Sequence, residues 1–299
     1  VTVLAACSGP DAGPDSGPDA GDVADPGSPS AGTSTSPAST VTPTTSATPV
    51  PPAPAASPQP SPAPEGLAGL VLPRRVEATL AGPDGTRVAM ATVDTGGERS
   101  SIDAGLLEEL GIAADAGTIG VESASGSEDR ELAELEVEVL GRSVTVVASV
   151  DDRSELTDPL RLGRDALGGA LVAAWTQDPT AAASVAAPVL GFRATVAVVG
   201  PGGEVLRGAT LDSGAERTSI DDELADLVDA EPTGGTVTVQ SSFGEEERPL
   251  VEVELLVAGR VVELVVSVAD RDDLDDPVLV GRDALEGVLV AVPVDAAGS

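Results

Sequence analysis

Two aspartates in this chain carry nearly the same neighbours. Asp94 is followed by Thr95 and Gly96, and Asp212 by Ser213 and Gly214, within the runs ATVDTGGERSSID from Ala91 and ATLDSGAERTSID from Ala209. A carboxylate beside a hydroxyl is a group that can take or give a proton, although Asp, Ser, Thr and Gly are also ordinary turn formers. Composition narrows the chemistry. The 299 residues include no histidine, no tyrosine, no lysine and one cysteine. A Ser/His/Asp triad, a Cys/His pair and an imidazole metal site are therefore excluded, as are disulfides within the chain and cysteine-rich zinc sites. What remains is carboxylates, hydroxyls and backbone, so neither a metal nor a cofactor is expected. ATP in particular has no glycine-rich phosphate loop with a lysine to meet it. With 16 basic against 50 acidic residues and a net charge of −34, the chain is not expected to bind nucleic acid, which needs clustered positive charge. The acidity itself reads as a solvated surface and identifies no partner.

The elements around the aspartates are duplicated. Asp94 and Asp212 lie 118 positions apart (212 − 94), and so do Gly163 of RLGRDAL and Gly281 of LVGRDAL. The same offset joins Gly82-Pro83 to Gly200-Pro201, Arg130 to Arg248, Asp152-Arg153 to Asp270-Arg271, and Asp158-Pro159 to Asp276-Pro277. A period of this length suits a small domain rather than a solenoid unit. The organisation expected is an N-terminal fragment over 1–7, a linker over 8–70, repeat 1 over 71–174, a second linker over 175–188 and repeat 2 over 189–294.

Each repeat reads mostly as strand. Residues 75–81 and 87–93 flank GPDG, and 193–199 and 204–211 flank GPGG, which are hairpins by their turn residues. The stretches LAELEVEVLGRSVTVVASV and LVEVELLVAGRVVELVVSV alternate apolar and acidic residues around a Gly-Arg turn, as half-buried antiparallel strands do. Short helices are expected at 103–110 and 221–228, each capped by an aspartate, with another beginning at each GRDAL. Residues 8–70 are dominated by Pro, Ser, Thr, Ala, Gly and Asp; with so little to bury, such a segment is expected to be disordered.

An apolar strand running into D-[ST]-G, followed about seventy residues later by aliphatic-Gly-Arg-Asp, resembles the retropepsin-like aspartic peptidases. The longer pattern is closer to the bacterial retropepsin-like family labelled putative ATP-dependent zinc proteases. That pattern comprises the aspartate loop, then S/T-S-I, an arginine before a strand, Asp-Arg, and Leu-Gly-Arg or its equivalent. The resemblance covers both repeats. It implies a mostly β fold with two tandem acid-protease β-barrel domains behind the linker. It also implies that Asp94 and Asp212 form a catalytic dyad that shares one proton and activates water toward a peptide bond. Thr95 and Ser213 would bond the opposing loops, and Gly96 and Gly214 would allow the tight backbone. Glu98 with Arg164, and Glu216 with Arg282, would form supporting acid–arginine pairs. Ser125-Gly126 and Phe243-Gly244 are candidate flap tips. Repeat 1 departs from the family in having Gly97 where alanine is usual, and both repeats carry a threonine, Thr92 or Thr210, where a large aliphatic is usual.

Near the start, Leu4-Ala5-Ala6-Cys7 resembles the lipobox of bacterial lipoproteins, implying a lipid anchor on Cys7 and an extracytoplasmic, membrane-anchored protein. The charged start and apolar run of such a signal do not precede it in the sequence. Two functions stay open. One is an exported aspartic endopeptidase acting on polypeptide, its site completed within one chain by an intramolecular pseudo-dimer, which is favoured over an obligate homodimer. The other is a catalytically inactive surface module that binds peptide or protein.

Overall fold

The alternation of small apolar and acidic residues determines how each repeat folds. In a computed structural model of the protein, residues 2–4, 66–123, 126–184, 186–241, 244–272 and 274–294 are described. Arg75–Gly82 and Gly85–Val93 form the first hairpin of repeat 1, with Gly82 opposite Gly85. Its first strand buries Val76, Ala78 and Leu80 while Glu77 and Ala81 face solvent. The long strand Gly126–Val139 does the same with Leu135, Val137 and Val139 buried and Glu134, Glu136 and Glu138 exposed. Every second residue thus faces one apolar interior, and each buried Leu or Val contributes about 1.5–3 kcal/mol.

The strands of repeat 1 close into a barrel. Their order is Arg75–Gly82, Gly85–Val93, Leu160–Leu162, Ser101–Asp103, Arg142–Asp151 and Gly126–Val139. The ring shuts where Ala78 pairs with Val139, and Thr118–Ser123 extends it as a hairpin with Gly126–Val139. Repeat 2 repeats the order with Arg193–Gly200, Gly203–Leu211, Val278–Val280, Ser219–Asp221, Arg260–Ala269 and Gly244–Val257, closed by Ala197 opposite Leu256. There the extending strand is Glu231–Ser241. The strand Thr2–Leu4 lies parallel to Thr238–Gln240 at its outer edge. The protein is mostly β, with two tandem barrel-like domains.

A separate four-stranded sheet joins the repeats. Val71–Pro73 and Leu171–Ala173 of repeat 1 run beside Leu289–Ala291 and Val189–Gly191 of repeat 2. Leu171 and Ala291 pair antiparallel across the seam. Between the repeats, Pro179–Ser184 is a short helix. Asp178 caps it by accepting from Thr180 N at 2.8 Å, and proline suits its first position. Ala182 and Trp175 pack there with Ala173 and Leu289.

Helices form at Ala104–Leu110 and Asp222–Leu227, with Asp103 and Asp221 accepting the first free N–H groups. The two GRDAL segments differ. Arg164–Leu167 is a helical turn, with Leu167 N bonded to Gly163 O four residues back. In repeat 2 the corresponding bond from Leu285 N goes to Arg282 O, three residues back, and the segment stays a series of turns. The tight turns between long strands are centred one residue earlier than expected. Leu140 and Gly141 have φ of 50° and 75°, Ala258 and Gly259 have 52° and 73°, and Arg142 and Arg260 already belong to the following strand. A type I′ hairpin turn, which matches the strand twist, needs positive φ at both central positions, so a non-glycine residue adopts it here. Among the described residues no helix is long and apolar enough to cross a membrane.

Candidate active site

Each aspartate sits where a barrel strand ends beside a parallel neighbour. Val93 pairs with Leu162, and Asp94 N then donates to Leu162 O at 3.0 Å; Leu211 pairs with Val280, and Asp212 N donates to Val280 O at 2.9 Å. The loops that follow meet at the seam. Thr95 Oγ1 donates to Leu211 O at 2.6 Å and accepts from Ser213 N at 3.0 Å. Ser213 Oγ returns the pattern, donating to Val93 O at 2.7 Å and accepting from Thr95 N at 3.0 Å. Both side chains are fully buried. Four direct bonds thus join the loops, each hydroxyl using its donor and its acceptor capacity.

The bonding brings the carboxyls together. Asp94 Oδ1 accepts from Gly97 N at 2.8 Å, while Asp212 Oδ1 accepts from Gly214 N at 2.8 Å and Ala215 N at 3.1 Å. The glycines are required by the approach of the opposite acid. A β-carbon on Gly96 would lie 2.3 Å from Asp212 Cγ, and one on Gly214 would lie 2.7 Å from Asp94 Cγ. Burial pushes the Asp212 carboxyl well above the usual range, and the neighbouring Asp94 charge and its hydrogen bond add to that. Asp212 Oδ2 is buried and accepts no hydrogen bond from the described protein.

The expected supporting residues divide. Arg164 Nη1 donates to Gly96 O at 2.6 Å and Thr95 O at 3.2 Å, and Arg282 Nη1 donates to Gly214 O at 2.6 Å and Ser213 O at 3.2 Å. Each arginine thus holds the carbonyls of its own loop. Among the described residues, Glu98 forms no ion pair with Arg164, nor Glu216 with Arg282, within 4.0 Å; the acids act through space and through their backbone carbonyls. Burial lowers both guanidinium groups from their ordinary value. The arginines differ in their outer neighbour. Arg164 lies over the Phe192 ring at 4.6 Å, whereas Arg282 faces the charge of Arg74, which stands at the position equivalent to Phe192. Cys7, Ser125 and Phe243 fall outside the described residues, so the lipidation site and both candidate flap tips do too; the hairpins carrying those tips are formed.

Further residues brace the loops. Asp165 Oδ1 accepts from Ser100 N and Ser100 Oγ at 2.9 and 2.7 Å, and Ser100 Oγ accepts from Gly163 N at 3.1 Å. Asp283, Thr218 and Gly281 repeat this in the second half. The S/T-S-I and Gly-Arg-Asp motifs are therefore halves of one brace. Burial raises both aspartates, against the hydrogen bonds from Ser100 and Thr218. Thr92 and Thr210, unexpected at these strand ends, donate to Asp158 Oδ2 at 2.6 Å and to Asp276 Oδ2 at 2.8 Å. Arg75 also binds Asp158, through Nε at 2.8 Å and through Nη2.

Sequence reasoning missed Arg161, whose Nη1 stands 3.4 Å from Asp94 Oδ2 with the side chain 13% exposed. The signal was present in the duplication, because the offset of 118 places Leu279 there in repeat 2. Carboxylate oxygens of Asp221, Asp270 and Asp272 lie within 4.8 Å of one another on repeat 2. Asp221 and Asp270 already accept backbone N–H groups there.

The site is thus a pair of reciprocally bonded aspartate loops at the junction of two similar barrels. No family model matches the chain, and no curated protein matches it. Among solved structures, a Legionella pneumophila protein of unknown function (DUF785) is similar at 18% identity over 33% of this chain and 88% of its own, with a TM-score of 0.24. The protease of simian foamy virus is similar at 18% identity over 31% of this chain and 90% of its own, with a TM-score of 0.25.

Proposed function

We propose that the protein is an aspartic endopeptidase whose dyad, Asp94 and Asp212, is completed within a single chain. The observation that carries this reading is the four-bond exchange between Thr95 and Ser213, which holds two buried carboxyls against each other. With one proton between them, one carboxylate takes a proton from water as its oxygen attacks the peptide carbonyl carbon. The other carboxyl gives its proton to the carbonyl oxygen. Collapse of the resulting diol, with a proton passed to the nitrogen, breaks the C–N bond and restores the dyad. No covalent intermediate, metal or cofactor is required. Because ionised and protonated carboxyls are both needed, cleavage is expected to be fastest at mildly acid pH. The substrate is polypeptide, and lipidation at Cys7 would place the enzyme outside the cytoplasm on a membrane.

The test is cleavage of an unfolded polypeptide by the purified chain and by Asp94→Asn and Asp212→Asn separately. The reading requires that each substitution abolish cleavage, and retained cleavage in both would end it. Peptide binding that survives both substitutions, with no product from the unmodified chain, would instead establish a binding module.

A further inference from the structure

Three differences between the repeats meet at one point of the site. Repeat 1 has Gly97, Asp151 and Arg161 where the offset of 118 puts Ala215, Ala269 and Leu279. Arg161 Nη1 is 3.4 Å from Asp94 Oδ2, and its Nη2 donates to Arg99 O at 3.3 Å. A β-carbon on Gly97 would lie 3.0 Å from Asp94 Oδ2 and 3.4 Å from Arg161 Cζ, so the glycine leaves room for the guanidinium to reach the carboxyl. Asp151 is buried within electrostatic reach of Arg161, and it also bonds Arg130 at 3.0 Å. In repeat 2 the three positions carry only apolar side chains.

Two other pairs of cations that act on these acids are matched across the seam. Arg153 and Arg271 are equivalent and act on Asp94 and Asp212 respectively, while Arg164 and Arg282 are equivalent and act on both. Arg161 has no mate. An opposite charge within about 4–6 Å favours the ionised form of a carboxyl, and here Arg161 Nη1 stands 3.4 Å from Asp94 Oδ2. We propose that Arg161 breaks the twofold symmetry of the dyad, holding Asp94 as the standing anion that activates water and leaving the shared proton on Asp212, the acid toward the substrate carbonyl. Arg161 is then a positioning residue for the proton, acting through Asp94. The upward push of burial on Asp212 runs in the same direction. This assignment rests on the dyad reading and goes further by making the two acids non-interchangeable.

The experiment needs no substrate. The full chain is labelled with carbon-13 at the aspartate carboxyls, and the two dyad resonances are identified by their loss in Asp94→Asn and Asp212→Asn. At a pH where the pair holds one proton, the Asp212 carbon is expected at the protonated position and the Asp94 carbon at the ionised one. Arg161→Lys should keep that separation. Arg161→Leu, and the double variant Asp151→Ala/Arg161→Leu that copies repeat 2 at both positions, should bring the two resonances together as the proton is divided. An unchanged separation in the leucine variants, or a proton found on Asp94 in the unmodified chain, would overturn the assignment while leaving the dyad intact. If replacing one aspartate left the other's resonance unmoved, the dyad itself would fall, and this inference with it.

Discussion

Removing the Thr95 hydroxyl tests whether the loop exchange holds the halves together. Thr95→Ala deletes a 2.6 Å bond to Leu211 O and a 3.0 Å bond from Ser213 N, at a site with no solvent exposure. Both backbone groups are then left buried without a partner. Each such group costs about 1–3 kcal/mol, so the loss should fall at about 2–6 kcal/mol, a large fraction of the roughly 5–15 kcal/mol that stabilises a typical domain. Urea unfolding followed by fluorescence reads this directly, because the single tryptophan, Trp175, packs with residues of both halves beside the seam. Thr86→Ala on an exposed hairpin position is the control, expected within about 0.5 kcal/mol of the unmodified chain. A Thr95→Ala variant as stable as that control would refute the reasoning, since the exchange would then carry no load.

Gly96→Ala should abolish cleavage and lower stability, because its β-carbon would lie 2.3 Å from a buried Asp212 carbon with little room to move; unaltered activity and unfolding midpoint would contradict this. Arg164→Ala should destabilise more than Arg282→Ala in the same urea assay, by about 0.5–2 kcal/mol: both feel a neighbouring guanidinium, Arg193 and Arg74 respectively, but Arg164 also stacks on Phe192, where repeat 1 offers Arg282 the side chain of Arg74 instead. The raised Asp212 carboxyl means the folded chain keeps a proton that the unfolded chain releases near pH 4. Its contribution to stability is therefore fully present below that pH and is lost as pH rises toward the folded value. Asp212→Asn should remove this decline, so that the variant's stability, relative to the unmodified chain, increases from pH 4 to pH 7; a constant difference would count against the shift.

The parts of the fold legible in sequence were those fixed by local chemistry. Hairpins at GPDG and GPGG, the alternating strands and the Asp103 and Asp221 caps depend on residues a few positions apart. The duplication placed Asp94 and Asp212 in equivalent loops. Contacts made across long separations were not legible. Nothing local distinguishes a Thr92 that bonds Asp158 from a strand-end threonine facing solvent, nor an Arg164 that takes loop carbonyls from one that takes Glu98. The second GRDAL segment forms turns although its five residues match those of the first, so its surroundings decide between three- and four-residue bonds. Arg161 was the readable clue left unused: a charge at a strand position whose sister is Leu279.

Complementation between full-length chains reads out whether one chain supplies both acids of one site. Asp94→Asn and Asp212→Asn full-length chains would be assayed for cleavage of unfolded polypeptide, alone and mixed, beside the unmodified chain at several concentrations. The account predicts activity per molecule independent of concentration for the unmodified chain, and no activity in either variant or in the mixture. Activity restored by mixing would show that the aspartates meet between chains, and activity in the separate variants would show that they do not work as a pair.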